Sequence, residues 1–253
     1  MKLGMPILFE YDNIFDNIKL AEDLGFDFVE LNLNFDYCRR DFENKEKNLN
    51  LIKSSKLEYT LHFYDEADFA TYDEVSNAYL KLLRKYLKLS RKLNIKLLNV
   101  HLNLGPIVTI SGIKNYIYER EYNLYIKRLI KNLKKVEKIC KAYNVTLVLE
   151  NTKTPDISIK TYLDLKEAGF NFNYDIGHDY VSGSKLKEMF SKNDFSIKEF
   201  HYHDSTKTKD HLVLGEGEID LKYFKDMIND QYVVLELKSS NDLRESIKQF
   251  KNM

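Results

Sequence analysis

Short apolar segments alternate with amphipathic helical segments along the whole chain, and this alternation occurs eight times. The apolar segments have the length and composition of β-strands, and the helical segments repeat apolar residues at helical spacing. The predicted strands are residues 2–9, 27–33, 57–63, 95–102, 145–150, 170–176, 197–203 and 232–237. The predicted helices are residues 13–24, 41–55, 73–93, 116–143, 157–168, 184–191, 221–228 and 243–250. Eight strand–helix units favour a parallel sheet closed into a barrel.

The length of the chain fits one such barrel. Its 253 residues are 43% hydrophobic, which is enough to bury a large core. No linker and no low-complexity tract interrupts the sequence, so we predict a single domain over residues 1–253. An open doubly wound sheet is the alternative architecture. A Gly-x-Gly-x-x-Gly motif does not follow the first predicted strand, however, which weakens a dinucleotide-binding interpretation.

Charge and composition limit the partners and the location. Lys plus Arg and Asp plus Glu number 39 each. The chain therefore lacks the net positive charge that would favour nucleic-acid binding. There is no apolar run of transmembrane length, and residues 1–6 lack the apolar region of a signal peptide. The only cysteines, Cys38 and Cys140, suit a reducing compartment. We therefore expect a cytoplasmic protein without a membrane or nucleic-acid partner.

Polar side chains stand at the ends of six consecutive predicted strands. They are, on strands three to eight, His62, His101, Glu150, Asp175, His201 and Glu236. In an eightfold barrel, catalytic groups lie at this end of the strands. Strand alternation directs His201 to the barrel axis and its neighbours Phe200 and Tyr202 to the helix layer. Glu30, near the end of the second strand, either reaches the same pocket or caps the next loop.

The convergence of carboxylates and imidazoles predicts a divalent metal ion. One strand-end His or Glu is often a satisfied polar residue, but six at one rim are hard to explain that way. Carboxylates buried around one axis repel each other, and their pKa values would rise unless a cation neutralised them. We therefore predict Mn, Mg, Co or Zn as the cofactor.

Several short motifs, taken in order, resemble the xylose isomerase-like barrel superfamily, which includes the AP endonuclease family 2. They are Leu149-Glu150-Asn151-Thr152, Tyr174-Asp175-Ile176-Gly177-His178, His201-Tyr202-His203-Asp204-Ser205, Asp210-His211-Leu212-Val213-Leu214-Gly215-Glu216-Gly217 and Leu235-Glu236. The similarity covers nearly the whole chain. It implies an α/β protein with a xylose isomerase-like (β/α)8 TIM barrel.

The resemblance also implies a set of metal ligands. The ketose epimerases of this superfamily hold one divalent metal with a Glu, an Asp, a His and a second Glu. By motif, these resemble Glu150, Asp175, His201 and Glu236. We prefer His201 to His203 because the family's ligand stands three residues before an acidic residue, here Asp204. His178 resembles the histidine that contacts substrate after strand six.

The activity implied is that of a sugar or sugar-phosphate isomerase or epimerase. In such an enzyme the metal acts as a Lewis acid and stabilises an enediolate. Glu150 and Glu236 would remove and return a proton on opposite faces of the substrate. The expected partner is a small sugar or sugar phosphate, and the resemblance is compatible with a homodimer.

Two other interpretations stay open. The alternative enzyme is a metal-dependent phosphoester hydrolase that resembles endonuclease IV and acts on abasic DNA. That enzyme holds three zinc ions with additional histidines, and the residues that resemble them by position, as further metal or substrate contacts, are His62, His101, His178 and His211. Lys209 stands where an Asp is expected two residues before His211, however, which should weaken a third metal. The remaining interpretation is a binding module without turnover.

Basic residues near the predicted rim are candidate phosphate or substrate contacts. They are Arg39, Lys153 and Lys209. Arg and Lys at a barrel rim suit that role, although each also fits a solvated surface charge. The long connection over residues 103–115, after the fourth strand, is predicted to be a loop of the kind that often forms a lid or a binding site.

Overall fold

The computed structural model describes residues 1–44, 56–91, 93, 95–192 and 195–253. Within these ranges the strands are β1 Lys2–Pro6, β2 Phe28–Asn32, β3 Glu58–His62, β4 Ile95–His101, β5 Ile107–Ile110, β6 Ile113–Tyr116, β7 Thr146–Glu150, β8 Asn171–Asp175, β9 Ile197–Tyr202 and β10 Tyr232–Leu235. The helices are α1 Ile14–Leu24, α2 Asp36–Glu43, α3 Asp73–Ser90, α4 Ile117–Arg120, α5 Tyr122–Lys141, α6 Asp156–Glu167, α7 Ile176–Val181, α8 Lys185–Lys192, α9 Leu221–Met227 and α10 Ser240–Asn252.

Eight parallel strands close into a barrel in the order β1-β10-β9-β8-β7-β4-β3-β2. The closing pair joins the two ends of the chain, with Lys2 opposite Tyr232. Each barrel strand is followed by one or more helices before the next barrel strand begins. This is the (β/α)8 TIM barrel that the eightfold alternation predicted, so the prediction of fold class is confirmed.

The two faces of the strands separate the core from the site. On β8, Tyr174 packs against Phe190 of α8, with ring centroids 4.7 Å apart, whereas Asn173 and Asp175 face the barrel interior. On β9, the ring of Tyr202 packs against Phe250 of α10 at 5.2 Å. Burial of each such large side chain stabilises the fold by about 2 kcal/mol. The apolar face therefore anchors the strands, and the other face is left for polar groups.

The connection after β4 differs from the prediction. It contains an antiparallel hairpin of β5 and β6, with Ile107 opposite Tyr116 and Ile110 opposite Ile113. The two turn residues, Ser111 and Gly112, both have positive φ, at 49° and 80°. Such a turn matches the twist of a two-residue hairpin, and the flanking residues are mostly β-branched. The Ser-Gly pair therefore marks a hairpin turn within the predicted loop.

The helix predicted over residues 41–55 also differs where it can be compared. In the described residues, α2 begins earlier, at Asp36, and ends at Glu43. An acidic residue in the first turn favours a helix N-terminus, which explains the earlier start. Residues 45–55 lie outside the described residues. Every helix of the described ranges is too short or too polar to traverse a lipid bilayer.

Candidate metal centre at the barrel rim

Four side chains from adjacent parts of the rim converge on one point. Glu150 and Asp175 end β7 and β8, His201 lies on β9, and Glu236 follows β10 directly. One ligand atom from each residue lies within 4.8 Å of the other three. The Nδ1 atom of His201 is 3.1 Å from Glu236 Oε2, 3.3 Å from Glu150 Oε1 and 3.8 Å from Asp175 Oδ2. The sequence motifs therefore identified residues that do meet in space.

The donor atoms of this group fit a divalent cation. Among the described residues, His201 Nδ1 and Glu236 Oε2 are buried and have no hydrogen-bond partner. A buried polar atom in that condition costs about 1–3 kcal/mol, so two of them facing each other need a compensating interaction. Three carboxylates and one imidazole nitrogen are ligands that Mn, Mg, Co or Zn accepts. We therefore define these four residues as the central group.

Neighbouring groups lower the pKa of the two glutamates of the central group. Burial raises the pKa of Glu150, but the interactions with His201 and His101 outweigh burial and hold that pKa well below its usual value. Burial likewise raises the pKa of Glu236, and neighbouring groups that include His201 and Lys238 bring it well below its usual value. A carboxylate must be deprotonated to bind a metal. Both glutamates therefore meet this condition before any ion arrives.

Two amides support Glu150 from the barrel interior. The side-chain amides of Asn99 on β4 and Asn173 on β8 both donate to Glu150 Oε2. This leaves Oε1 of Glu150 facing His201. Sequence reasoning missed Asn99, although it lies two residues before His101 on the same strand face. That spacing is the signal that could have identified it.

His203 supports Asp175 from behind. The backbone N–H of His211 donates to Nδ1 of His203 at 2.8 Å, so the proton of the His203 ring is on Nε2. That atom lies 3.2 Å from Asp175 Oδ1. His203 is fully buried behind Asp175, whereas Nδ1 of His201 faces the three carboxylates. This geometry favours His201 over His203 as the ligand.

A first flanking group adjoins Glu150. His62 Nε2 lies 3.1 Å from His101 Nε2, and these two atoms are 3.4 and 3.5 Å from the carboxylate of Glu150. The Nδ1 atom of His62 donates to the Phe63 carbonyl at 2.8 Å, which leaves Nε2 facing the site. Asp65 lies 3.7 and 3.6 Å from the outer nitrogens of the two rings. It lies in a loop without periodicity, so sequence reasoning had no signal for it.

A second flanking group adjoins Glu236. It comprises His178, His211 and Glu236, each with a ligand atom within 4.8 Å of the others. His211 Nδ1 donates to the Glu236 carbonyl at 3.0 Å, and His211 has a positive φ of 54°, which is uncommon for a residue other than glycine. Asp210 Oδ2 lies 3.4 Å from His178 Nδ1, and this contact lowers the pKa of Asp210. Asp210 therefore contacts the second flanking group, although it stands one residue before His211 rather than the expected two.

The geometry of the loop after β9 depends on Asp204, which acts through backbone contacts. The carboxylate of Asp204 accepts backbone N–H groups from Gly215, Gly217 and Ile219. A Cβ atom at Gly217 would lie 2.2 Å from Asp204 Oδ1, so only glycine fits there. Asp204 thus closes the loop that carries Asp210 and His211.

The basic candidates occupy different positions around the rim. The guanidinium of Arg39 donates to the carbonyls of Leu33 and Asn34 and pairs with Asp36, so local groups occupy it. The side chains of Lys153 and Lys209 are exposed. Sequence reasoning missed Lys238, whose Nζ lies 3.5 Å from Glu236 Oε1. The sequence signal was its position two residues after Glu236.

Comparisons with known proteins agree with the fold. The family model described as "Xylose isomerase-like TIM barrel" matches residues 18–253. The uncharacterized protein MJ1614 of Methanocaldococcus jannaschii is 26% identical over 261 residues, which cover 96% of this chain and 95% of that protein.

Solved structures have the same architecture at low sequence identity. A D-tagatose 3-epimerase-like protein has a TM-score of 0.80 at 19% identity, covering 100% of this chain and 96% of that one. The 3-keto-D-glucoside 4-epimerase YcjR from E. coli has a TM-score of 0.77 at 16% identity, with both chains fully covered. The IOLI protein with a bound zinc atom has a TM-score of 0.74 at 16% identity, covering 100% and 96%. The match of the family model over residues 18–253, together with the closed barrel, shows that the chain belongs to the xylose isomerase-like TIM barrel family.

Proposed function

We propose that this protein is a divalent-metal-dependent isomerase or epimerase of a sugar or sugar phosphate. The observation that carries the proposal is the central group, in which Glu150, Asp175, His201 and Glu236 direct ligand atoms at one point. Two structurally similar proteins are described as epimerases or epimerase-like, and another contains zinc. We take Mn, Mg, Co or Zn as the ion that this group would hold.

The bound ion would supply Lewis acidity to a substrate carbonyl and its neighbouring hydroxyl. The protein's own contribution begins with burial. Asp175 and His201 are fully buried and Glu150 is 1% exposed, whereas His101 and His178 are partly exposed at the mouth. A sugar would therefore enter past the two flanking histidines, which can donate and accept hydrogen bonds with its hydroxyl groups.

Glu150 and Glu236 are the proposed proton-transfer residues. They approach the central point from its two sides, with Asp175 and His201 between them around the barrel. One glutamate can therefore remove a proton from a substrate carbon while the other returns a proton to the opposite face. General acid–base catalysis of this kind contributes roughly 10²- to 10⁴-fold to the rate. Asn99 and Asn173 donate to Oε2 of Glu150, so Oε1 is the oxygen that is left for the substrate side.

The test is proton exchange on a panel of ketoses and ketose phosphates. Protein loaded with each of the four metals is incubated in deuterated water, and NMR follows deuterium at the carbon beside the carbonyl. We expect Glu150→Gln and Glu236→Gln to lose exchange with the fold retained. Glu218→Gln, an exposed rim substitution, is the matched control and should exchange like the wild type. Wild-type exchange in both active-site variants would reject the assignment of these two glutamates.

A second candidate function is phosphoester hydrolysis, including cleavage of abasic DNA. The observation in its favour is that the two flanking groups share Glu150 and Glu236 with the central group, so up to three ions could lie side by side. Against it, Lys209 stands where a further acidic ligand is expected, and Asp210, which contacts His178, is one residue away from that position. Elemental analysis and a nicking assay on abasic duplex DNA distinguish the two functions. Three zinc ions per chain with chelator-sensitive nicking would favour hydrolysis, and one ion without nicking would favour the epimerase.

The organisation of the protein follows the same proposal. Because β1 pairs with β10, both ends of the described chain belong to one barrel, and we propose a single domain over residues 1–253. Cys38 and Cys140 are buried and free, which suits a reducing compartment such as the cytoplasm. Arg39, Lys153 and Lys209 stay candidate phosphate contacts. Of these, Arg39 is the weakest because local carbonyls occupy its guanidinium.

A further inference from the structure

A second pair of carboxylates lies in the barrel interior, next to His201. Glu30 on β2 and Glu199 on β9 are 1% and 0% exposed. A carboxylate oxygen from each lies within 4.8 Å of the other and of a nitrogen of His201. Neither residue has a role in the proposed proton transfer. Carboxylates buried this deeply are costly unless they interact with a specific partner, so their contacts need an explanation.

The two nitrogens of His201 face different partners. Nδ1 faces Glu150 and Glu236, at 3.3 and 3.1 Å. Nε2 lies 3.3 Å from Oε1 and 3.4 Å from Oε2 of Glu30. Glu30 and His201 are 171 residues apart in sequence. In the barrel, β1 and β10 lie between β2, which carries Glu30, and β9, which carries His201, so Glu30 contacts the ring across the barrel interior.

The protonation of His201 must match this arrangement. A neutral imidazole carries one N–H, and only the nitrogen without it can bind a metal. If Nδ1 binds the ion, the proton must be on Nε2 and must be donated to an acceptor there. Glu30 is at hydrogen-bond distance of Nε2, whereas neither carboxylate oxygen of Glu199 has a hydrogen-bond partner among the described residues.

We propose that Glu30 is a positioning residue of the metal centre. Its carboxylate accepts the Nε2–H of His201, holds the ring in one orientation, and thereby presents the lone pair of Nδ1 to the ion. The negative charge of Glu30 also makes the imidazole a stronger ligand. Removing a carboxylate partner of this kind typically weakens metal binding about 10- to 100-fold. The inference rests on the proposed metal-dependent function.

The structure offers a matched pair of substitutions for the test. Glu30→Gln keeps the shape of the side chain and removes its charge. Glu199→Gln makes the same chemical change at an equally buried site, two residues from His201 on the same strand, without a hydrogen bond to the ring. His201→Ala removes the ligand itself. Thermal unfolding of the metal-free proteins shows whether each variant folds.

The measurement is the dissociation constant for cobalt(II), obtained by competition with a chelator, together with the visible spectrum of the cobalt-loaded protein. We expect Glu30→Gln to bind cobalt about 10- to 100-fold more weakly with an altered spectrum, and Glu199→Gln to bind within about twofold of the wild type. At saturating cobalt, Glu30→Gln should regain much of its exchange activity, because Glu150 and Glu236 are intact.

The outcomes separate the inference from the function on which it rests. Wild-type affinity in Glu30→Gln, with binding lost in His201→Ala, would overturn only the positioning role of Glu30. Equal losses in Glu30→Gln and Glu199→Gln would also overturn it, because they would indicate a general effect of interior charge. Wild-type protein that binds no cobalt would overturn both the inference and the proposed metal centre.

Discussion

Substitution of Gly177 by alanine should damage the proposed metal centre without changing any proposed ligand. Gly177 lies in α7 and does not have a positive φ, so glycine is required there by steric contact and not by backbone conformation. A Cβ atom there would lie 1.9 Å from Cε1 and 2.4 Å from Nδ1 of His203. The ring must therefore move, and its Nε2 hydrogen bond to Asp175 must be lost or distorted.

The magnitude follows from these contacts. Insertion of a methyl group into a closely packed site costs about 1–3 kcal/mol of unfolding free energy. In a chain of this length that lowers the melting temperature by on the order of 5 °C. Because His203 orients Asp175, we also expect the affinity for cobalt(II) to fall about 10- to 100-fold.

Gly169→Ala is the matched control. Gly169 precedes β8, its φ is +78°, and a Cβ atom there would meet no atom within 4 Å. Alanine at this position therefore introduces backbone strain of about 1–2 kcal/mol without a steric clash. The control should lower the melting temperature by a similar amount and leave cobalt affinity unchanged. Wild-type cobalt affinity in Gly177→Ala would refute the reasoning, as would an equal loss of affinity in the two variants.

Three further outcomes are expected. Asn99→Ala leaves Glu150 Oε2 with the amide of Asn173 and with His62 Nε2 at 3.4 Å, so kcat for proton exchange should fall about tenfold, measured at saturating metal against Ser158→Ala, a buried polar substitution in α6, as a control. Asp204→Ala removes the acceptor of several backbone N–H groups in the loop over residues 205–219, so unfolding free energy should fall by about 3 kcal/mol, and unchanged hydrogen exchange in that loop would contradict this role. A chelator should lower the melting temperature of protein kept in free metal at about 100 times the dissociation constant, since binding at that metal concentration stabilises the fold by about 2.7 kcal/mol. A melting temperature that does not respond to metal would contradict a site of that affinity.

The site could be anticipated from strand ends because strand geometry is local. Side chains alternate between the two faces of a strand, so a polar residue at the right parity must face the barrel axis. Glu150, Asp175 and His201 obey this rule, with Phe172, Tyr174 and Phe200 buried on the other face. The β5–β6 hairpin was missed because its strands are short and its turn resembles a loop.

The contacts that the loop residues make could not be found in the same way. Asp65 lies in a loop, where no periodicity relates its position to the axis. Lys238 and Arg39 both follow predicted strands near the rim. In the structure, Lys238 approaches Glu236, whereas Arg39 donates to the carbonyls of Leu33 and Asn34. Which of these side chains meets another group depends on the path of the loops, and distant contacts set that path.

The sequence by itself therefore determined the eightfold barrel and the residues that line its axis, because both follow from the periodicity of strands and helices. Only the tertiary structure decided how those residues are oriented. Glu30 and His201 are 171 residues apart, and closure of the barrel alone brings the carboxylate to Nε2 and leaves Nδ1 facing the rim. The choice between two nitrogens of one ring depends on distances across the barrel, which no local pattern in the chain contains.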